Sequence, residues 1–161
     1  MTVDGQDYSI AGRVLVSESP PEAHLEVAKQ WLDNCLSSHV VCREHSQNFP
    51  ELPIRVIDVG QHDVSPRLID GSGISSSYAS LSHCWGHAPT IKTELKTLEL
   101  LQQQISLTTL PKTFREAIMV CRKLEIPYLW IDSLCIIQDS KEDWEFHSSG
   151  MFLVTIGIIH C

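Results

Sequence analysis

The sequence predicts an α/β domain with a partial parallel sheet and flanking helices. Three observations carry this reading. Residues 78–83 (YASLSH) alternate Tyr78, Ser80 and Ser82 against Ala79, Leu81 and His83, the period of a strand. Phe114, Ala117, Ile118, Cys121 and Leu124 recur at spacings of three and four, the apolar face of a helix. Tyr128–Ile131 (YLWI) is a short apolar run set off by Pro127. Strand, helix and strand in that order predict a parallel pair joined by a right-handed crossover.

The remaining elements follow along the chain. Residues 1–21 are polar, end in SESPP and read as a loose arm. A helix is expected from Pro21, which suits a first helical position, through the stripe Leu25, Ala28, Trp31, Leu32 and Cys35. Pro50 and Pro53 mark a connection. Ile54–Val59 (IRVIDV) reads as a strand closed by Gly60, Arg67–Asp70 as another, and Gly71–Ser77 (GSGISSS) as a loop. Glu94–Gln104 reads as a helix. Thr113 and Glu116 form a T-x-x-E capping box for the helix that follows Leu110 and Pro111. Asp139–Glu142 (DSKE) resembles a second capped start, for a helix through Trp144.

Composition restricts the functional classes. The chain has 161 residues, the length of one domain, with 43% hydrophobic and 20% charged residues. A net charge of −8 disfavours a nucleic-acid grip, which needs a basic face, and disfavours an anionic membrane surface. No apolar run reaches the roughly 18 residues of a membrane span, and residues 1–12 carry Asp4 and Asp7 without the apolar core of a secretory signal. Six cysteines without such a signal predict reduced thiols and a cytoplasmic protein.

Ligands of parallel sheets sit beyond the carboxyl ends of the strands. Two polar clusters fall there. Ser82, His83, Cys84, Trp85 and Gly86 place a hydroxyl, an imidazole and a thiol in succession. Neighbours on a strand point to opposite faces, so His83 is badly placed to activate Cys84, and a turn with a packed indole is the stronger reading. In the second cluster, Asp132 follows the apolar strand directly. A carboxylate there either orients a ligand or acts as a base, or it caps the following turn, and both readings stand. Asp132, Ser133 and Gln138 are the candidates to face a site. Cys135, between Leu134 and Ile136, reads as a core thiol. Cys35, His39, Cys42 and His45 have the spacing C-x3-H-x2-C-x2-H. It matches no standard finger, and Cys35 already belongs to the apolar stripe, so no metal is assigned. No phosphate loop, G-x-G-x-x-G or H-E-x-x-H occurs, and no cofactor is expected.

The segments YASLSHCWG, LPKTFREAIMVCRKLEIPYLWIDSLCIIQD and EDWEFHSSGM resemble the heterokaryon incompatibility (HET) domain of filamentous fungi, in order and spacing as well as in words. The resemblance covers 78–151. WLDNCLSSHVVC and LPIRVIDV, within the lead-in 22–77, resemble what often precedes that domain. The resemblance implies a role in fungal nonself recognition, as a death effector or regulator acting through protein partners or self-association. It also implies a TIR-like, flavodoxin-like fold. Some TIR domains cleave NAD with a helical glutamate, so NAD is the substrate that an enzymatic reading would take. The matching helix here surrounds Asp143 and Trp144. The position where the family often has an acid, three after that Trp, is His147, with Glu145 nearby. The candidate catalytic set is thus Asp132, Asp143 and Glu145. The motif residues Ser82, His83, Cys84, Trp85, Gly86, Ser133, Gln138, Asp139 and Trp144 are the candidates to face a ligand.

After Met151 the family usually continues with an Ile-Tyr pair, an Ala and further elements. This chain reads FLVTIGIIHC over 152–161. The expectation is a truncated product, a splice form or a gene model that runs on, leaving an inactive fragment as one functional alternative. Transcript sequencing across the codons of Ser149 and Gly150 tests it. The uncharged apolar run Met151–Ile159 also predicts low solubility.

Overall fold

The computed structural model describes residues 21–47, 49–61, 63–83 and 91–147, without the side chains of 21–23 and 45–47. The expected arm, the tail, and Cys84, Trp85 and Gly86 lie outside the described residues. Among the described residues, the elements follow in the order α1 (Pro21–Ser38), α2 (Val40–Gln47), β1 (Arg55–Asp58), β2 (Arg67–Asp70), β3 (Tyr78–Leu81), α3 (Leu98–Gln103), α4 (Lys112–Lys123), β4 (Tyr128–Ile131) and α5 (Asp132–Cys135). Residues 141–147 are also helical.

The strands form one open sheet in the order β2-β1-β4-β3. β3 and β4 are parallel, in register from Tyr78 opposite Tyr128 to Leu81 opposite Ile131. The intervening α3 and α4 make the crossover, as the strand–helix–strand pattern required. β1 is antiparallel to both neighbours, with Val56 opposite Ile69 on β2 and Ile57 opposite Leu129 on β4. The sheet is therefore mixed. Consecutive strand residues face opposite ways, and Val56 and Ile57 are both 0% exposed. Both faces of the sheet are thus covered at β1. Leu129, Trp130 and Ile131 are also all buried, which explains why β4 reads as an unbroken apolar run. β2, at the edge, buries Leu68 and exposes Arg67 and Asp70.

α4 buries Phe114, Ile118 and Cys121 against the core, as its periodicity predicts. Burial of the Phe and Ile side chains contributes about 2 kcal/mol each. Its start differs from expectation. Pro111 occupies the N-cap position and no side-chain cap bond forms. With the helix beginning at Lys112, Thr113 already lies inside the first turn and cannot cap it. The C-terminus closes in a Schellman arrangement, with Ile126 N–H donating to Cys121 C=O at 2.9 Å and Glu125 N–H to Arg122 C=O at 3.3 Å. Glu125 takes the left-handed conformation, φ 60°, that this closure requires. Its carboxylate pairs with Lys29 of α1.

α3 begins at Leu98, four residues later than the periodicity suggested. Glu94 instead opens a turn: its N–H donates to Thr97 Oγ1 at 2.9 Å, and Thr97 Oγ1 donates back to Glu94 C=O at 3.0 Å. The last helix is capped by Ser140, whose Oγ accepts the Asp143 N–H at 3.2 Å. Asp139, the expected start, accepts from Leu95 N–H at 2.9 Å, which ties the turn before α3 to the segment after α5.

Candidate functional site

The carboxyl ends of β3 and β4 lie side by side because the two strands are parallel and in register. The residues just past those ends therefore meet. His83 Nδ1 lies 3.6 Å from Asp132 Oδ1, with the two side chains 11% and 31% exposed. The His83 ring sits edge-on to Phe114, with centroids 4.8 Å apart, so α4 fixes its orientation. Asp132 Oδ1 accepts the Ser133 N–H at 2.7 Å. Gln138 folds back, its Nε2 donating to Asp132 C=O and Ile136 C=O, each at 3.0 Å. An imidazole and a carboxylate at this place can exchange a proton with a bound group. The same Asp132 also stabilises the turn into α5. Of the two sequence readings of Asp132, the bond to the Ser133 N–H is the capping one.

Ser133 is 0% exposed, and its Oγ has no hydrogen-bond partner among the described residues. Its C=O accepts the Thr93 N–H at 2.9 Å. Thr93, itself 0% exposed, donates its hydroxyl to Leu134 C=O at 2.6 Å and its C=O accepts the Gln138 N–H at 2.8 Å. Thr93 therefore clamps 133–138 from across the chain. Sequence reading missed it, since a lone threonine before a helix carries no signal.

Asp143 sits deeper. It receives both Arg55 guanidinium nitrogens, Nη2 at 3.0 Å on Oδ1 and Nη1 at 3.1 Å on Oδ2, and the Ile137 N–H at 2.7 Å. Arg55 Nη1 also donates to Cys135 C=O at 2.7 Å. Burial pushes the Asp143 pKa up, but the Arg55 hydrogen bonds, the Ile137 amide and nearby positive charge outweigh it, so the net shift is downward. His147 is 5% exposed, and its Nε2 lies 3.8 Å from Asp143 Oδ2. Desolvation lowers its pKa, against the raising field of Asp143 and with that of Arg55. The position where a family acid was expected thus holds a buried imidazole that favours its neutral form. Arg55 read only as part of a strand in the sequence, because its partner is 88 residues away.

Of the other candidates, Ser82 is exposed and Asp139 is occupied by Leu95 N–H. Glu145 lies at the surface, 3.4 Å from Lys141 and 63% exposed. Trp144 is 53% exposed. The structure brings together His83, Asp132, Ser133 and Gln138 around the strand ends, and joins Asp143 to Arg55 and His147. Burial pushes the Cys135 thiol up to about 12, which makes it inert at neutral pH and matches its reading as a core thiol. A cleft of about 390 Å³ opens between Asp58–Gln61 and Glu125–Pro127. It lies before β4, at the end of the strand opposite Asp132. It is crossed by Arg122, whose guanidinium donates to the Val59 and Val64 carbonyls at 2.7–2.9 Å. Separately, Cys35, His39 and Cys42 place their ligand atoms within 4.8 Å of one another, while the His45 side chain is outside the described residues. Among the described residues no helix is long and apolar enough to cross a membrane.

Residues 78–154 match the model of the family described as heterokaryon incompatibility protein (HET). No curated protein and no solved structure matches the chain.

Proposed function

Because this chain is a heterokaryon incompatibility (HET) domain protein over residues 78–154, we propose that it serves as an effector or regulator of the cell death that follows fungal nonself recognition. It acts in the cytoplasm, through protein partners or further copies of itself. The observation that supports this reading over catalysis is the occupation of Asp143 and Asp139 by the fold. Asp143 is taken up by Arg55 and the Ile137 amide, and Asp139 by the Leu95 amide. Trp144 and Phe146, 53% and 57% exposed on one short helix, add apolar surface of the kind that partners cover.

A second reading rests on the His83–Asp132 pair at the strand ends. There Asp132 would act as the base or orienting carboxylate in cleaving a nucleotide such as NAD. One experiment separates the two. The chain and its Asp132→Ala variant are expressed inducibly in a fungal host, and viability and cellular NAD are followed together. Death with steady NAD is expected. Death with NAD loss that requires Asp132 makes the enzymatic reading the correct one. Survival with the protein confirmed present removes both.

A further inference from the structure

We propose that Cys35, His39 and Cys42 form a soft-metal site that takes a zinc-class divalent ion when Cys35 is reduced. The three residues come from the corner between α1 and α2. Cys35 is in the last turn of α1, His39 is the residue between the helices, and Cys42 is in α2. The corner is held by backbone: His39 N–H donates to Cys35 C=O at 3.1 Å, and Arg43 N–H to His39 C=O at 3.0 Å. Ligand order and spacing are therefore set before any ion arrives.

The distances fit tetrahedral coordination. Zinc bonds of about 2.3 Å to sulfur and about 2.0 Å to nitrogen place two sulfurs about 3.8 Å apart and sulfur and nitrogen about 3.5 Å apart. Here the sulfurs of Cys35 and Cys42 are 3.3 Å apart. His39 Nδ1 is 3.4 Å from Cys35 Sγ and 4.0 Å from Cys42 Sγ. Each separation is within about 0.5 Å of the value for a shared ion. Both cysteines are buried, at 6% and 8% exposure, while His39 is exposed, which leaves an entry path from solvent. Two thiols in a core need no imidazole beside them. A sulfur–sulfur–imidazole set is the donor chemistry of zinc.

Cys35 is disulfide-bonded in this structure, against the sequence expectation of reduced thiols, whereas Cys42 stands as a thiol. A disulfide sulfur has no thiolate to give, so the site is gated by redox state. A dithiol reductant opens it. The two reductant sulfurs join in a disulfide, the Cys35 disulfide breaks, and the two protons of the dithiol pass to the two released sulfurs. Binding of the divalent ion then displaces the protons of Cys35 and Cys42, while His39 binds as the neutral ring. The ion would staple α1 to α2 in the reduced state only.

The test uses the full chain, reduced with a dithiol and desalted without air, then titrated with Co2+ as the spectroscopic stand-in for Zn2+. The expected result is one Co2+ per chain, with a sulfur-to-cobalt charge-transfer band and four-coordinate ligand-field bands, bleached by equimolar Zn2+. Cys42→Ser and His39→Gln should each weaken binding at least tenfold, and Cys121→Ala should not. The oxidised chain should show no band. His39 is exposed, so His39→Gln keeps the test valid even if Cys42→Ser unfolds. Absence of the band in the reduced chain, or a band of unchanged strength in His39→Gln, overturns the proposal.

Discussion

Removing the Asp143 carboxylate should destabilise the fold far more than removing any exposed acid from the same helix. In Asp143→Ala, Arg55 keeps its bond to Cys135 C=O but loses two charge-assisted bonds, and the Ile137 N–H loses its acceptor. The pair is mostly buried, at 12% and 17% side-chain exposure. Breaking such a pair by deleting one partner costs about 3 kcal/mol or more, because the remaining charge stays desolvated. With a urea slope of about 2 kcal/mol per molar, the unfolding midpoint should fall by about 1.5 M. Glu145→Ala, which removes an exposed carboxylate paired with Lys141, should change stability by no more than about 0.5 kcal/mol. Acid should report the same pair. The folded pKa of Asp143 lies below its ordinary 3.8, so its stabilisation is complete above 3.8 and is lost as pH falls through the folded value. His147 is likewise depressed below 6.5, so folding also loses stability as pH drops beneath 6.5. Asp143→Asn should abolish the lower of these two phases and, by removing the charge that raises the His147 pKa, enlarge the upper. Equal midpoints for Asp143→Ala and Glu145→Ala would refute the reasoning.

Three further outcomes follow from particular contacts. Thr93→Val keeps the shape of a fully buried side chain but takes the donor from Leu134 C=O, and should cost about 1–3 kcal/mol in urea unfolding. Gly71→Ala would set a Cβ 2.3 Å from Pro53 O and 2.9 Å from Leu52 Cβ, and should cost about 1–3 kcal/mol by the same assay. Cys121 and Cys135, pushed up by burial to about 11 and about 12, should resist thiol reagents at pH 8 in the folded chain and react only on unfolding, as mass spectrometry can follow.

The sequence by itself determined what is local. A period of two marked β3, periods of three and four marked α1 and α4, and proline set off β4, because these signals depend only on neighbouring residues. The motif 128–139 was also legible, as was the placing of both polar clusters at strand ends, and the parallel register then brought His83 and Asp132 together. Cap positions were misread by one or two residues. Several hydroxyls and carboxylates compete for the same free amides, and the winner depends on what else each can reach: Asp139 went to Leu95, which left the helix start to Ser140. Only the tertiary structure decided the antiparallel pairing of β1, the clamp by Thr93 and the partnership of Arg55 with Asp143. Strand direction in the sheet and contacts across tens of residues are settled by global packing, which no short window of sequence encodes. The same holds for the corner at Cys35, His39 and Cys42. Its spacing was visible as a string, but only the turn between two helices brings two sulfurs and an imidazole within reach of one ion.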